Sequence, residues 1–223
     1  MTQNTLNYEF LKSKQRTIQD GFDENLGLRI HRSLSWLQRA EKAKSDPDAQ
    51  FIFYWIAFNA SYAEELPDNN TPSERSVFEK YFIKILSFDK QQIIYEAIWQ
   101  KYSGPIRLIL NNKFVYQPFW NHYNGFDGYS DWNERFQKSK KSVSQALATK
   151  DTKYILSTLF DRLYVLRNQL IHGGATWNSS INRDQIRDGS QLLGFLLPVF
   201  LDLMMDNPST VWGTPHYPVI KEI

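Results

Sequence analysis

The sequence contains no cysteine, and this absence removes three kinds of chemistry at once. Disulfide bonds, zinc sites built on thiolates and cysteine nucleophiles are all excluded. A chain without cysteine also suits a reducing compartment, so we expect a cytoplasmic protein.

The chain has little excess charge of either sign, because 26 Lys and Arg residues against 24 Asp and Glu residues leave a formal net charge of +2. An overall basic field that coats nucleic acid is therefore disfavoured, and any such partner must be bound by a local patch. A lysine run, Lys138, Lys140 and Lys141, is expected to form a solvated helix face or, as the alternative, a patch that attracts phosphate.

Long apolar runs are missing as well. The two most apolar stretches, residues 51–60 and 192–205, are too short to span a bilayer, and the second contains Pro198 and Asp202. Residues 1–20 are polar and lack the apolar core of a signal peptide. The sequence thus predicts two buried helices, no membrane association and no secretion.

Apolar residues recur at steps of three and four through most of the chain, and no alternating run is long enough to require a sheet. This pattern predicts an all-α bundle with one core at 24–206, an N-terminal segment at 1–23 and an extended C-terminal tail at 207–223. Asp48 and Asp151 stand where N-caps are expected for the second and sixth helices. The predicted helices cover 24–44, 51–65, 73–86, 91–101 (ending near Gly104-Pro105), 132–147, 151–172 and 183–205.

The helical periodicity fails between residues 111 and 132, where Gly, Asn and Pro are scattered among many aromatic residues. We interpret this segment as an aromatic-rich insertion. Its rings, with Lys113 nearby, could stack on unpaired bases of a nucleic acid. The alternative is a loop that packs on the bundle or against a second subunit.

The most informative stretch is Arg167-Asn168-Gln169-Leu170-Ile171-His172, which is followed by Gly173-Gly174. It places an arginine and a histidine at the end of a long amphipathic helix, where glycine is a common stop signal. The planar, permanently charged guanidinium matches phosphate oxygens, and histidine can both take and give a proton near neutral pH. These two side chains suffice for chemistry on a phosphodiester without a metal.

On a helical projection, Arg167 lies about 40° from Leu163, inside the apolar stripe, whereas His172 lies about 140° from Arg167. A guanidinium in that position needs a partner. Either it pairs with Glu64 or Glu65, or it faces a groove that another subunit completes about a two-fold axis. A third interpretation involves no function, since the helix macrodipole alone favours cationic residues at a C-terminus.

Three other polar residues are supporting candidates. Asn168 lies four positions before His172 on the same face and can orient the imidazole or the phosphate. Asn59 lies in an otherwise apolar helix, so its amide makes either a structural hydrogen bond or a contact that positions His172. Glu64 is the other supporting candidate. The remaining three histidines have no ligand-like spacing, so no metal and no other cofactor is expected.

The stretch from Arg167 to His172 resembles the R-x(4–6)-H pattern of the HEPN superfamily, including the polar residue, here Asn168, that commonly follows the arginine. The segment Trp55-Ile56-Ala57-Phe58-Asn59-Ala60-Ser61-Tyr62 is similar to the corresponding stretch of prokaryotic HEPN proteins of the Apea-like kind. The resemblance covers residues 24–205 and leaves the insertion at 111–132 unaccounted for.

The resemblance implies a helical bundle that dimerises and brings two such motifs together, often as a metal-independent endoribonuclease of a toxin–antitoxin, abortive-infection or other defence system. Carried over to this chain, Arg167 and His172 would be catalytic and Asn168 would assist. We therefore predict a homodimeric HEPN-type ribonuclease that acts on RNA and is restrained by an antitoxin or another regulatory protein. Two alternatives stay open: a catalytically silent HEPN module that binds a nucleotide, a nucleic acid or a partner protein, and a helical scaffold in which Arg167 only forms a buried ion pair.

Overall fold

The computed structural model of the protein describes residues 6–64, 74–180 and 182–217. Within these ranges the chain forms helices and no strand, so the predicted all-α class is confirmed. Short 3-10 turns, Gln19–Gly21 and Lys113–Val115, and a π-helical turn, Ala97–Lys101, lie between the α-helices. The helices are α1 Tyr8–Ile18, α2 Glu24–Lys42, α3 Pro47–Tyr62, α4 Glu74–Phe88, α5 Ile93–Glu96, α6 Ser103–Leu110, α7 Gln117–Tyr123, α8 Trp132–Thr149, α9 Thr152–Ile171 and α10 Arg183–Asp206.

Helix α3 forms the centre of the bundle, as its lack of a polar face predicts. Its side chains Trp55 and Phe58 are almost completely shielded from solvent. Burial of an aromatic side chain of this kind is worth about 1.5–3 kcal/mol, so the aromatic cluster around Phe58 contributes much of the stability. The cluster draws rings from α4, α9 and α10: Phe78, Phe82, Phe160 and Phe200.

Helices α3 and α10 run in the same direction, and α9 runs in the opposite one. The contacts that set these directions are Phe51 with Gly189, Phe58 with Phe200, Trp55 with Tyr164 and Phe58 with Phe160. The N-termini of α3 and α10 therefore lie at the same end of the bundle as the C-terminus of α9. We call this the motif end, because residues 167–172 lie there.

Helix α3 begins earlier than the sequence predicted. Its N-cap is Asp46, whose side chain accepts a hydrogen bond from the N–H of Ala49 at 3.1 Å, and Pro47 takes the first helical position. The prediction that Asp48 caps α3 was wrong, because a proline pre-organised for a helix start moves the boundary back. The predicted cap of α9, Asp151, is confirmed.

Helices α1, α6 and α7 were not predicted from the sequence. Helix α1 docks on the bundle through the fully buried Leu11 and through Lys14, which pairs with Asp202 at 2.6 Å. Its few apolar anchors give too weak a periodicity for prediction. The predicted fourth helix, 91–101, corresponds to α5 and the π-helical turn, which end at the predicted residue. Gly104 and Pro105, expected after this helix, lie in the first turn of α6, where proline is tolerated.

The insertion at 111–132 is partly helical and packs on the bundle as well as facing solvent. Val115 and Phe119 are buried, whereas the rings of Phe114, Tyr123 and Phe126 are exposed. The segment therefore has an apolar inner side that fixes it in place and a set of partly exposed aromatic rings.

Helix α10 contains the second apolar run of the sequence and extends over 24 residues. It is the one helix within the described ranges that has the length and composition to cross a membrane, but 72% of its most apolar window is buried inside the protein. The prediction of a buried core helix is confirmed. In the described part of the tail, residues 207–217, no helix forms and Trp212 packs against the core.

Candidate functional site

Helix α9 ends directly at the candidate motif. Gly173 has a φ of +70°, and the N–H groups of Gly173 and Gly174 donate to the carbonyls of Leu170 and Gln169 at 3.3 and 2.7 Å. This is the Schellman arrangement, which favours a residue without Cβ at the left-handed position. The glycine pair thus holds the chain in a defined turn immediately after His172.

Arg167 is half-buried and lacks the carboxylate partner that one sequence-based alternative required. Its Nη1 donates to Oδ1 of Asn168 at 2.9 Å, its Cζ lies 6.0 Å from the centre of the Tyr164 ring, and its Nε is buried with no hydrogen-bond partner. Across the described ranges no carboxylate forms an ion pair with this guanidinium. Glu65 lies outside the described residues. A shielded guanidinium without a counter-charge is costly, so this side chain favours the approach of an anion.

His172 is exposed at the C-cap of α9, and its backbone N–H donates to the carbonyl of Asn168 at 3.0 Å. Asn168 is therefore bonded to both motif residues, through its side chain to Arg167 and through its carbonyl to His172. Within one chain the two motif side chains leave the helix about 140° apart. The long arginine side chain spans part of this angle by bending towards Asn168.

Asn59 and Glu64 lie at the other end of α3, away from the motif end. Glu64 follows the C-terminus of α3 and pairs with Pro215, whereas Asn59 lines an open cavity of about 550 Å³ with residues of α2 and the tail. The eleven helical steps between Asp48 and Asn59 are a rise of about 16 Å. The expectation that Asn59 and Glu64 support the motif is therefore not met, because α3 and α9 run in opposite directions.

The loop after the motif, described over residues 173–180, is tied to the N-terminus of α3 by two carboxylates. Asp46 accepts a hydrogen bond from Nε1 of Trp177 at 3.1 Å. Asp48 accepts one from the N–H of Asn178 at 2.8 Å and one from Nη2 of Arg183 at 3.1 Å. Because these partners are 130 to 135 positions apart, spacing could not reveal them. The signal in the sequence was two aspartates flanking a proline, of which Asp48 was expected to cap a helix.

The insertion also lies against α9. Nε2 of Gln169 donates to the carbonyl of Phe114, and the guanidinium of Arg162 lies 4.3 Å from the centre of the Tyr116 ring. Arg162 is 1% exposed, and this burial lowers its pKa, an effect that the nearby Asp161 carboxylate opposes. Burial likewise raises the pKa of Asp161. These polar contacts hold the insertion beside the motif.

The other sequence candidates do not converge on the motif end. Lys138 and Lys141 are exposed and Lys140 is half-buried, which is typical of a solvated helix face. In the described part of the chain, no three His, Asp or Glu side chains come together in a way that could hold a metal ion. The remaining histidines are exposed on three separate elements: His31, His122 and His216.

Comparisons of the chain with protein-family models, with curated proteins and with solved structures find no match. The geometry of the motif end is thus the basis on which a function can be proposed.

Proposed function

We propose that this protein is a metal-independent endoribonuclease of the HEPN type that acts on RNA as a homodimer. The observation that carries the proposal is the half-buried Arg167, which has no ion pair among the described residues and is linked through Asn168 to the exposed His172. Such an arginine can bind a phosphate through two N–H groups without first giving up a carboxylate.

The proposed reaction divides the chemistry between the two motif side chains. His172 takes a proton from the ribose 2′-hydroxyl or gives one to the leaving 5′-oxygen, and Arg167 stabilises the extra negative charge of the phosphorane-like transition state. Asn168 holds the guanidinium in position. Because the attacking group is the 2′-hydroxyl, DNA is spared and the products carry a 2′,3′-cyclic phosphate and a 5′-hydroxyl.

A second copy of the chain completes the proposed site. A two-fold axis at the motif end would bring the histidine of one subunit to the arginine of the other. The two side chains of one site would then come from different helices, so the wide angle between them on a single helix would not keep them apart. Ile171, an apolar residue inside the motif, is 47% exposed and would be covered by such a partner.

We further propose that the ribonuclease is a cytoplasmic toxin or defence effector that an antitoxin or another regulatory protein restrains. The alternative, a silent HEPN module, binds a nucleotide, RNA or a partner protein at the same end without cutting RNA. The presence of both motif residues favours catalysis. A third alternative is a scaffold in which Arg167 forms a buried ion pair; the described residues include no such pair, which favours the first two proposals.

Incubation of the purified protein with RNA in the presence of a chelator tests the proposal. We expect cleavage that leaves cyclic-phosphate ends, no cleavage of DNA of the same sequence, and no activity in Arg167→Ala or His172→Ala. His31→Ala is the matched control, because His31 is an exposed histidine on α2. Equal trace activity in all four proteins would indicate contamination and refute the proposal. RNA that is bound but stays whole would identify the silent module.

Mixing the two inactive variants tests the composite site separately. If each site takes Arg167 from one subunit and His172 from the other, random exchange of subunits gives heterodimers with one complete site. The mixture should then recover about a quarter of the wild-type activity. A mixture that stays inactive after subunit exchange would place both groups of each site on one chain.

A further inference from the structure

Trp177 is unusually exposed for its residue type. Its side chain is 74% accessible, although tryptophan is on average among the more deeply buried residues. It lies in the loop that follows the motif, five positions after His172. A large flat ring is therefore presented to solvent at the same end of the bundle as the proposed catalytic pair.

The indole of Trp177 is held in place although it is exposed. Its Nε1 donates to Oδ2 of Asp46 at 3.1 Å, while Oδ1 of the same carboxylate caps α3 through the N–H of Ala49. The next residue, Asn178, is fixed by its N–H bond to Asp48. An exposed side chain that is already ordered loses little entropy when a ligand covers it, so contact with this ring carries a small entropic cost.

A second exposed ring lies against the end of α9. Phe114 is 44% exposed, its carbonyl accepts a hydrogen bond from Gln169, and Nζ of Lys113 lies 5.2 Å from the ring centre. Arg167 and His172 belong to the same helix end as Gln169. Exposed aromatic faces combined with cationic groups are the composition of sites that bind single-stranded nucleic acid.

We propose that Trp177 is the ring on which an unpaired base of the substrate stacks, with Asp46 as its positioning residue, so that the protein selects unpaired RNA. A base within a duplex already stacks on its neighbours and offers no free face. This inference rests on the proposed function for the identity of the strand, and it assigns to Trp177 and Asp46 a role that the catalytic motif does not include.

The test measures binding with the full-length chain carrying His172→Ala, so that the RNA stays whole. The probes are a fluorescein-labelled 12-nucleotide unpaired RNA and the same strand annealed to its complement, followed by fluorescence anisotropy. Trp177→Leu should weaken binding of the unpaired strand about 5- to 150-fold, the range for loss of one base stack. Trp177→Phe should recover much of the loss, because phenylalanine retains a flat face.

Asp46→Ser tests whether Asp46 positions the indole of Trp177, independently of its role as the N-cap of α3. Serine caps a helix about as well as aspartate, so the melting temperature should stay the same, but it has no second oxygen for the indole. Binding should weaken about 2- to 13-fold, because the freed ring must then be ordered by the ligand. Tyr217→Leu is the matched control: Tyr217 is 86% exposed in the tail, away from the motif end, and its loss should leave affinity unchanged.

Two results would overturn the inference: equal affinity of the Trp177→Leu and parent proteins for the unpaired strand, or equal affinity of the parent for the unpaired strand and the duplex. A fall in affinity that coincides with dissociation of a dimer in sedimentation would assign Trp177 to a subunit interface and would also overturn it. A different result would refute the proposed function and leave this inference intact. If the chain with His172 intact does not cut RNA while Trp177→Leu still weakens binding, the ribonuclease is refuted and the stacking role stands.

Discussion

Replacing Arg167 by methionine should not lower the free energy of unfolding, although the side chain is half-buried. The variant loses one hydrogen bond, from Nη1 to Oδ1 of Asn168 at 2.9 Å, which is worth about 1 kcal/mol. It also removes a buried Nε that has no partner, and shielding such a group costs about 1–3 kcal/mol. Methionine keeps much of the aliphatic packing. The expected net change therefore lies between zero and a gain of about 2 kcal/mol.

The same variant should reduce RNA cleavage at least about 100-fold, the usual cost of removing a group that stabilises transition-state charge. Equilibrium urea unfolding at pH 7, followed by far-UV circular dichroism, measures the first effect, and the cleavage assay measures the second. Arg167→Lys keeps the charge but not the planar fork, so it should recover only part of the activity. A loss of stability of about 3 kcal/mol or more in Arg167→Met would show a buried ion-pair partner and refute the reasoning.

Three other variants probe the parts that hold the motif end and the bundle. Arg29 is fully buried and donates to the carbonyl of Gly213 and to carbonyls at the end of α3, so Arg29→Met should lose about 3–5 kcal/mol in urea unfolding; a loss below about 1 kcal/mol would contradict this. Asp48→Ala frees the N–H of Asn178, so hydrogen exchange in residues 173–180 should accelerate and cleavage should fall, whereas unchanged exchange would mean that Asp48 does not hold the loop. Burial raises the pKa of Glu41, which means that its ionised form is less favourable in the folded chain than in the unfolded one. Glu41→Gln should therefore be more stable than wild type at pH 7, and this advantage should shrink as the pH falls towards about 4.3; a difference independent of pH between 4 and 7 would rule the explanation out.

The helices that could be predicted from the sequence are those whose own residues carry a complete apolar pattern. Helices α2, α9 and α10 were predicted almost to the residue, because their buried faces repeat at helical spacing. Helix α1 was not, because its docking depends on Leu11 meeting a surface built by distant helices. The N-cap of α3 was misplaced, because the spacing of residues around Pro47 does not show which of the two flanking aspartates caps the helix.

The candidate site likewise contains residues that could be predicted from the sequence and residues that could not. Arg167, Asn168 and His172 lie within one helix end, so their positions on α9 follow from helix geometry and could be predicted from the sequence. The supporting residues could not be predicted in this way. Asn59 was expected near the motif because its amide lies in an otherwise apolar helix, but it lies at the other end of α3. The residues that do support the loop after the motif come from a separate helix start.

The amino-acid sequence by itself determined the helical class, the central place of α3 and the presence of an arginine and a histidine at a glycine-terminated helix end. These features depend on the order of neighbouring residues, over which periodicity and capping act. Only the tertiary structure decided that α3 and α9 run in opposite directions, that Arg167 has no ion pair among the described residues and that Trp177 is held by Asp46. These outcomes depend on which distant side chains share the limited space around the core, and no local rule encodes that choice.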